Sequence, residues 1–213
     1  MPAIRKLQAG PGLQMEEVAV PEIGPTDALI KIHAAGICGT DYHIYSWDTW
    51  SQGRIEPPLT LGHEFIGEVA KVGEEVHHIS PGERVSGEGH IVCGHCTFCR
   101  TGQAHICQSV KIIGVDRDGC FAPYLAMPVD NLWPVPPEIP DKFAAIYDPI
   151  GNAMHTVMSA RISGTSEGSR LAWMLLLIDP EVAVSPSTVI VPAWTIATVL
   201  DSPTPSSNTL MVV

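Results

Sequence analysis

Short apolar runs separated by turn-forming dipeptides fill the first part of the chain. Apolar and β-branched residues predict strands over residues 28–34, 65–72, 84–86 and 121–127. Pro-Gly, Gly-Pro and Asp-Gly pairs lie between these runs and mark turns. Several short strands at this spacing indicate a mainly β, barrel-like domain with a few helices.

A helix is predicted near the end of this region. Residues 141–160 are the best helical candidate in the sequence. Pro149 and Gly151 should break this helix in the middle, because proline lacks a backbone N–H and clashes with the preceding turn.

The pattern changes at about residue 165. From there Ser, Thr, Pro and Val dominate, charged residues become sparse, and neither a period of 2 nor one of 3.6 is sustained. We therefore divide the chain into a domain at residues 1–164 and an irregular tail at residues 165–213.

The composition indicates a globular protein and argues against two classes of partner. Hydrophobic residues make up 45% of the chain and charged residues 16%, which is typical of a domain with a packed core. The formal net charge is −11. We therefore expect neither a nucleic acid nor an anionic membrane surface as a partner.

The apolar segments also bear on the compartment. No apolar stretch follows the basic residues at the start of the sequence, so we expect no secretory signal and a cytoplasmic location. The apolar segment 171–178 is too short to span a bilayer. Prolines interrupt the longer segment 182–200. We therefore expect no membrane insertion.

Four closely spaced cysteines form the strongest local motif. Their pattern is C-x2-C-x2-C-x7-C, and the residues are Cys93, Cys96, Cys99 and Cys107. Four thiolates at short range form a closed tetrahedral zinc site, which stabilises a loop and leaves no open position for catalysis. An iron–sulfur cluster and free thiols are the alternatives. The seven-residue final gap, followed by Gln108 instead of proline, disfavours a cluster.

The remaining cysteine and the neighbouring histidines have simpler interpretations. We expect Cys120 to be a small buried hydrophobic residue. A fifth zinc ligand is unnecessary, so His90, His95 and His105 are expected to be solvated loop histidines.

Two further segments offer a second set of metal ligands. Cys38 and the pair His63-Glu64 supply a thiolate, an imidazole and a carboxylate, with glycines beside them that let the backbone approach a metal. Three protein ligands with one open position are the arrangement of a catalytic zinc.

Longer stretches around these residues resemble the zinc-dependent medium-chain alcohol dehydrogenase family. The pattern GHE-x2-G-x5-G-x2-V at 62–76 is similar to its zinc signature, CGTD at 38–41 to its metal-binding turn, and the four-cysteine loop to its structural-zinc lobe. The L-threonine 3-dehydrogenase branch is the most similar. That similarity rests on HIYxWDxW at 43–50, RIxP at 54–57, GEGHIVC at 87–93, GVD at 114–116 and DPxGNAxHT at 148–156.

The resemblance covers residues 1–164 and implies a fold and a set of roles. The fold would be a GroES-like β-barrel catalytic domain with a zinc lobe at about residues 90–110. The catalytic zinc would be bound by Cys38, His63 and Glu64, giving two zinc ions per chain. Thr40 and His43 would relay the proton of the substrate hydroxyl. Asp148 would be an acidic residue near the metal that tunes the site.

Several of these residues also have plain structural interpretations. Asp41 is a candidate cap of a helix or turn. Trp47 and Trp50 fit ordinary packing as well as the lining of a substrate pocket. Thr40 could bond locally to the backbone, although its position two residues after Cys38 favours the relay.

The cofactor half of the family is not recognisable in this sequence. A dehydrogenase needs a nicotinamide cofactor because zinc has no redox chemistry. A Rossmann unit would begin soon after residues 162–164, but no glycine fingerprint follows there. Residues 165–213 are also too few for a doubly wound domain. We therefore expect a truncated chain without its NAD site.

Three functions follow as hypotheses. The first is an L-threonine 3-dehydrogenase that passes hydride to NAD. The second is a catalytically inactive zinc-binding domain. The third is a dehydrogenase of another secondary alcohol or polyol. The expected partner is a small L-threonine-like substrate, with a homo-oligomer as a further possibility.

Overall fold

The computed structural model describes residues 1–159 and 189–192. Within them the strands are β1 Pro2–Lys6, β2 Gln14–Glu17, β3 Asp27–Ile37, β4 Leu59–Thr60, β5 Glu64–Val72, β6 Arg84–Gly87, β7 His90–Ile91, β8 Lys111–Ile112, β9 Tyr124–Pro128, β10 Leu132–Pro134 and β11 Val189–Pro192. The α-helices are α1 Gly39–Ser46, α2 Thr49–Arg54, α3 Thr97–Arg100, α4 Asp141–Ala144 and α5 Tyr147–Ser159. Single 3-10 turns lie at Ala104–Ile106 and Val129–Asn131.

Antiparallel pairing organises the strands into one large sheet and two small ones. The large sheet has the order β10-β6-β5-β3, and the far edge of β3 pairs with β9 along its first half and with β11 along its last residues. The small sheets are β2-β1-β4 and the pair β7-β8. The prediction of a mainly β fold with few helices is confirmed.

Three of the predicted strands lie within β3, β5 and β6, and the fourth is shorter than expected. The strand predicted over residues 121–127 corresponds to β9, which begins only at Tyr124. Pro123 precedes it and has no N–H to donate to a ladder, so regular pairing starts after it. Phe121 and Ala122 are nevertheless buried, which explains the apolar signal.

The predicted helix over residues 141–160 is broken at a different point from the one expected. Helix α4 ends at Ala144 and α5 begins at Tyr147, so Pro149 and Gly151 both lie inside α5. The proline ring clashes with the carbonyl four residues earlier, which belongs to Ala145. The break therefore falls one turn before Pro149, and the prediction of a break at Pro149 and Gly151 was wrong.

The core lies on both faces of β5. Phe65 points into the main cluster with Ile30 and Val85, whereas Ile66 packs on the opposite face with α4. Successive strand residues point to opposite faces, and both of these side chains are fully buried. His63 and Glu64 lie at the start of β5, and this part of the strand is thus enclosed on both faces.

The predicted tail is described in part. Residues 189–192 form β11, which pairs with Ala34–Ile37 of β3. The other residues of 165–213, and with them the expected lack of a dinucleotide-binding unit, lie outside the described residues. Among the helices of the described part, none is long and apolar enough to cross a membrane.

Candidate metal centres

The end of β3 and the start of β5 bring three candidate ligands together. Cys38 follows β3, and His63 and Glu64 stand where β5 begins. Because the strands are antiparallel, with Gly36 opposite Glu64, residues 25 positions apart in the sequence meet at one point. The ligand atoms of Cys38, His63 and Glu64 all lie within 4.8 Å of one another. Cys38 Sγ is 2.9 Å from His63 Nε2.

Two glycines make this close approach possible. A Cβ atom on Gly36 would collide with the carboxylate of Glu64, and one on Gly62 would collide with the ring of Phe121. Gly62 also has a φ of 90°, a conformation that L-residues with side chains rarely adopt. Steric crowding therefore accounts for glycine at positions 36 and 62.

Cys38 also begins helix α1. Its Sγ accepts a hydrogen bond from the Thr40 N–H at 3.3 Å, and its own N–H donates to Asp41 Oδ2 at 2.9 Å. Asp41 thus completes a capping box, as its interpretation as a cap predicted. The helix N-terminus favours negative charge on the Cys38 sulfur, which suits a thiolate ligand.

The site is buried and rich in acidic groups. Burial, followed by the charges of Asp41 and Glu64, raises the pKa of Cys38 to about 12. Burial likewise raises the pKa of Glu64 to about 7, with Asp41 and Asp148 adding to the effect and His63 opposing it. Each of these groups resists ionisation as long as no cation compensates its charge.

The donor set and the unpaired atoms fit a bound divalent cation. His63 Nδ1, Glu64 Oε2 and Asp41 Oδ1 are buried polar atoms without a hydrogen-bond partner in the described part of the chain. A thiolate, an imidazole and a carboxylate are all zinc ligands. A zinc ion would compensate the charges that burial makes costly, so the residues present fit that metal.

Thr40 and His43 lie one turn apart on α1. Residues three apart are neighbours on the surface of a helix. Thr40 is half-buried next to Cys38, whereas the side chain of His43 is 56% exposed. The two residues predicted as a relay are thus neighbours on this helix, one near Cys38 and one exposed to solvent. His43 Nδ1 is also 2.6 Å from Asp48 Oδ2, a partner that the sequence analysis missed.

Asp148 lies in the first turn of α5 and faces the same region. Its Oδ1 accepts a hydrogen bond from the Gly89 N–H at 3.4 Å, and its Oδ2 accepts one from Asn152 Nδ2 at 3.3 Å. Burial, and then the charge of Glu88, raise its pKa.

Glu88 and His90 were not predicted as members of this site. The ligand atoms of Glu88, His90 and Asp148 lie within 4.8 Å of one another, and His90 Nδ1 bonds to Glu88 Oε1. The His90 side chain is 42% exposed, as expected for a solvated histidine, but it lies in strand β7 and not in a loop. Glu88 and His90 are two apart and flank a bend at Gly89, and the His90 N–H also donates to Glu88 Oε1 at 2.9 Å. That spacing was the available signal, but Asp148 is 60 residues away.

The four-cysteine lobe holds its sulfur atoms together in a compact loop. Cys93, Cys96, Cys99 and Cys107 have their Sγ atoms within 4.8 Å of one another, and all are free thiols. The Sγ atoms of Cys96 and Cys99 are 3.5 Å apart. Sulfurs bound to one tetrahedral zinc lie about 3.8 Å apart, so this spacing fits the metal.

Backbone N–H groups of the lobe point at the sulfurs. The N–H of Cys93 and that of Ser109 donate to Cys107 Sγ, each at 3.4 Å. Such bonds from Cys99 and Gln108 lower the pKa of Cys96 to about 6, and those from Cys93 and Ser109 lower the pKa of Cys107. The loop therefore favours thiolates, the form that binds zinc, at Cys96 and Cys107. Burial and the neighbouring thiols instead raise the pKa of Cys99 to about 12.

The other predicted thiol and histidines behave as expected. Cys120 is fully buried, which confirms its interpretation as a small core residue. His95 and His105 are exposed. Trp47 packs against the core as a half-buried residue, while Trp50 is 45% exposed.

Comparison with known proteins decides the family. The model of the alcohol dehydrogenase GroES-like domain matches residues 24–137. The chain belongs to this family. The match includes the residues 38, 63 and 64 and the whole cysteine lobe, so both candidate metal centres lie within the family's domain.

A curated relative is similar in sequence to most of this chain. An L-threonine 3-dehydrogenase of Symbiobacterium thermophilum is 52% identical over 166 residues, which cover 78% of this chain and 47% of the relative. The chain thus spans about half the length of the curated relatives it matches.

Two solved structures with a similar fold are named as dehydrogenases. A protein of Sinorhizobium meliloti named as a zinc-binding dehydrogenase, bound to NADP, has a TM-score of 0.67 and 36% identity, covering 73% of this chain and 44% of the other. Galactitol-1-phosphate dehydrogenase of Escherichia coli has a TM-score of 0.70 and 29% identity, covering 76% and 45%. The GroES-like catalytic domain predicted from the sequence is therefore confirmed as the fold.

Proposed function

We propose that this chain carries the zinc-binding catalytic domain of an L-threonine 3-dehydrogenase, which oxidises the 3-hydroxyl of L-threonine with a nicotinamide cofactor as hydride acceptor. The observation that carries the proposal is the meeting of Cys38, His63 and Glu64, with their ligand atoms within 4.8 Å. The substrate is suggested by relatives about half identical in sequence that are named L-threonine 3-dehydrogenase.

The proposed ligands leave room for a substrate. Cys38, His63 and Glu64 supply three protein ligands, which is the number found at catalytic zinc. Bound there, zinc supplies a Lewis acid that lowers the pKa of an alcohol placed beside it. The second centre, made of the four cysteines, has a complete set of ligands and serves to hold its lobe.

The chain's own residues would carry the proton away. The Thr40 hydroxyl can both accept and donate a hydrogen bond, and Thr40 comes between Cys38 and the exposed His43 along helix α1. An imidazole is suited to take up the proton, since its usual pKa is near neutrality. Asp148 would adjust the charge at the metal site without binding the metal.

The cofactor and the compartment belong to this proposal as well. NADP bound to the Sinorhizobium relative supports a nicotinamide dinucleotide, and NAD is the form expected here. The free thiols at metal-ligand spacing support a reducing, cytoplasmic location. A small-molecule substrate follows from the family, and a homo-oligomer is an additional proposal.

A polyol or another secondary alcohol is the second candidate substrate. The similarity of the fold to that of galactitol-1-phosphate dehydrogenase, with a TM-score of 0.70, favours it.

Zinc analysis and turnover test the proposal. The purified chain should hold two zinc ions. Joined to the cofactor domain of an L-threonine 3-dehydrogenase, it should form NADH from L-threonine in a zinc-dependent manner more rapidly than from galactitol 1-phosphate or 2-butanol. Two zinc ions without NADH from any of these alcohols would instead support the inactive zinc-binding domain. A faster reaction with a polyol would contradict the assignment of L-threonine alone.

A further inference from the structure

His43 is held by a carboxylate five residues further along the chain. Its Nδ1 is 2.6 Å from Asp48 Oδ2. A carboxylate at neutral pH can only accept a hydrogen bond, so Nδ1 is the nitrogen that carries a proton. The lone pair of the neutral imidazole then lies on Nε2.

A single unusual residue brings the two side chains together. Helix α1 ends at Ser46, and its C-cap Trp47 adopts the left-handed conformation with φ 58° and ψ 47°. The N–H groups of Trp47 and Asp48 both donate to the carbonyl of His43, at 3.0 and 3.4 Å. The chain therefore reverses directly beneath the imidazole. Without this turn, residues five apart on a helix would lie on different faces.

The turn is supported by a buried cation. The ring of Trp47 is covered by Lys6, whose Nζ lies 5.1 Å from the ring centre. Lys6 is 1% exposed and donates to the carbonyls of Gly10 and Gly12, at 2.6 and 2.7 Å. The position of Trp47 is thus fixed from the core side, and the position of Asp48 follows.

The other oxygen of Asp48 accepts a hydrogen bond at the start of helix α2. Asp48 is the N-cap of α2, and its Oδ1 accepts a hydrogen bond from the Ser51 N–H at 2.9 Å. Ser51 is fully buried. The carboxylate is therefore anchored to a helix end instead of being free to rotate in solvent, and it presents Oδ2 to His43 in one orientation. Trp50, from the same helix, places its ring edge-on to the imidazole with centroids 6.3 Å apart.

We propose that Asp48 is the positioning residue of His43, which fixes the imidazole in its Nδ1–H tautomer so that Nε2 receives the substrate proton. This inference rests on the proposed function, which gives His43 its role as a relay. When Nε2 takes up the proton, the imidazolium is stabilised by the carboxylate 2.6 Å away. The exposed His43 then releases the proton to water.

The tautomer can be read directly. Long-range ¹H–¹⁵N NMR of the full zinc-loaded chain distinguishes a protonated from an unprotonated ring nitrogen, at a pH of about 8.5 where imidazoles are neutral. A His43→Gln variant identifies the resonances of His43 by their loss. In the native chain we expect Nδ1 of His43 to be protonated and Nε2 to be unprotonated.

Two variants complete the test. Asp48→Ser keeps a good N-cap for α2 but is too short to reach the imidazole, so the Nδ1–H form should be lost in favour of Nε2–H. Glu138→Gln, which removes an exposed carboxylate on another loop, should leave the spectrum unchanged. Zinc content and thermal unfolding show whether Asp48→Ser remains folded.

The outcomes separate the inference from the proposed function. A native His43 with its proton on Nε2 overturns the inference by itself, even if Asp48→Ser fails to fold. An unchanged tautomer in a folded Asp48→Ser variant does the same. Because the spectrum requires no turnover, a chain that oxidises no alcohol but shows the expected tautomers refutes the proposed function and leaves the role of Asp48 intact.

Discussion

Asp41 Oδ1 lies 4.0 Å from His63 Nδ1, and both atoms are buried without any other partner in the described part of the chain. The opposite nitrogen of His63 faces Cys38. The imidazole is therefore held between a carboxylate and the sulfur of a proposed metal ligand. An outer carboxylate of this kind orients a ligating histidine and raises its basicity.

Replacing Asp41 should weaken zinc binding at this centre without removing a ligand. Asp41→Asn keeps an oxygen for the capping bond but removes the charge that faces His63. We expect the affinity for one of the two zinc ions to fall by about 10- to 100-fold, measured by competition with a chelator. Asp130→Asn, on an exposed turn, is the control. Equal affinities in the two variants would show that Asp41 only caps the helix.

Two glycines on either side of Cys38 give a matched test of the site's geometry. A Cβ on Gly36 would collide with the carboxylate of Glu64, whereas a Cβ on Gly39 meets nothing within 4 Å. Gly36→Ala should displace Glu64 and weaken zinc binding by about tenfold or more, the order expected when a ligand loses its orientation. Gly39→Ala should bind zinc like the native chain. The same chelator competition measures both.

The two proposed centres should respond differently to the loss of one thiol. Cys38→Ser should lower the zinc content from two ions to one and leave the cysteine lobe folded. Cys96→Ser should also lower it by one, but the lobe should unfold because its zinc supplies the folding energy. Elemental analysis gives the zinc content, and limited proteolysis within residues 90–112 reports the state of the lobe. Equal protease sensitivity of both variants would contradict this division.

The metal-free chain should lose stability as the pH rises from about 4.5 to about 7. Burial raises the pKa of Glu64 from 4.5 to about 7 in the folded state. Between these values the folded state binds more protons than the unfolded state, so the free energy of unfolding falls as the pH rises, by up to roughly 3 kcal/mol over this window.

The Glu64→Gln variant isolates that contribution. Denaturant unfolding of both chains in the presence of a chelator, from pH 4.5 to 8, gives the difference between their stability curves. The native chain should lose stability relative to Glu64→Gln across this range, and zinc should reverse the loss by binding the ionised carboxylate. Parallel curves would mean that Glu64 is not protonated in the metal-free fold.

The ligand residues were predictable because their signals are local. The four cysteines need only a short loop to meet, and His63-Glu64 is a contiguous pair. Strands β3, β5 and β6 could also be predicted from the sequence, because their apolar residues are buried and bounded by turn signals.

Other features depend on contacts that no local pattern contains. The pairing of His43 with Asp48 needs the left-handed turn at Trp47, which nothing in the residue type predicts. The group formed by Glu88, His90 and Asp148 needs α5 to pack on the sheet. The helix break was misplaced because proline acts on the carbonyl of the preceding turn and not at its own position.

Trp47 also limits how the domain can be improved by protein engineering. Its left-handed backbone would favour glycine, so a stabilisation strategy based on backbone preference would select Trp47→Gly. The Lys6 ammonium has three N–H donors, and two of them are used by carbonyls. The third N–H can interact with the aromatic face of Trp47. Glycine would relax the backbone and leave a buried charge uncovered, so selection at this position should retain aromatic rings.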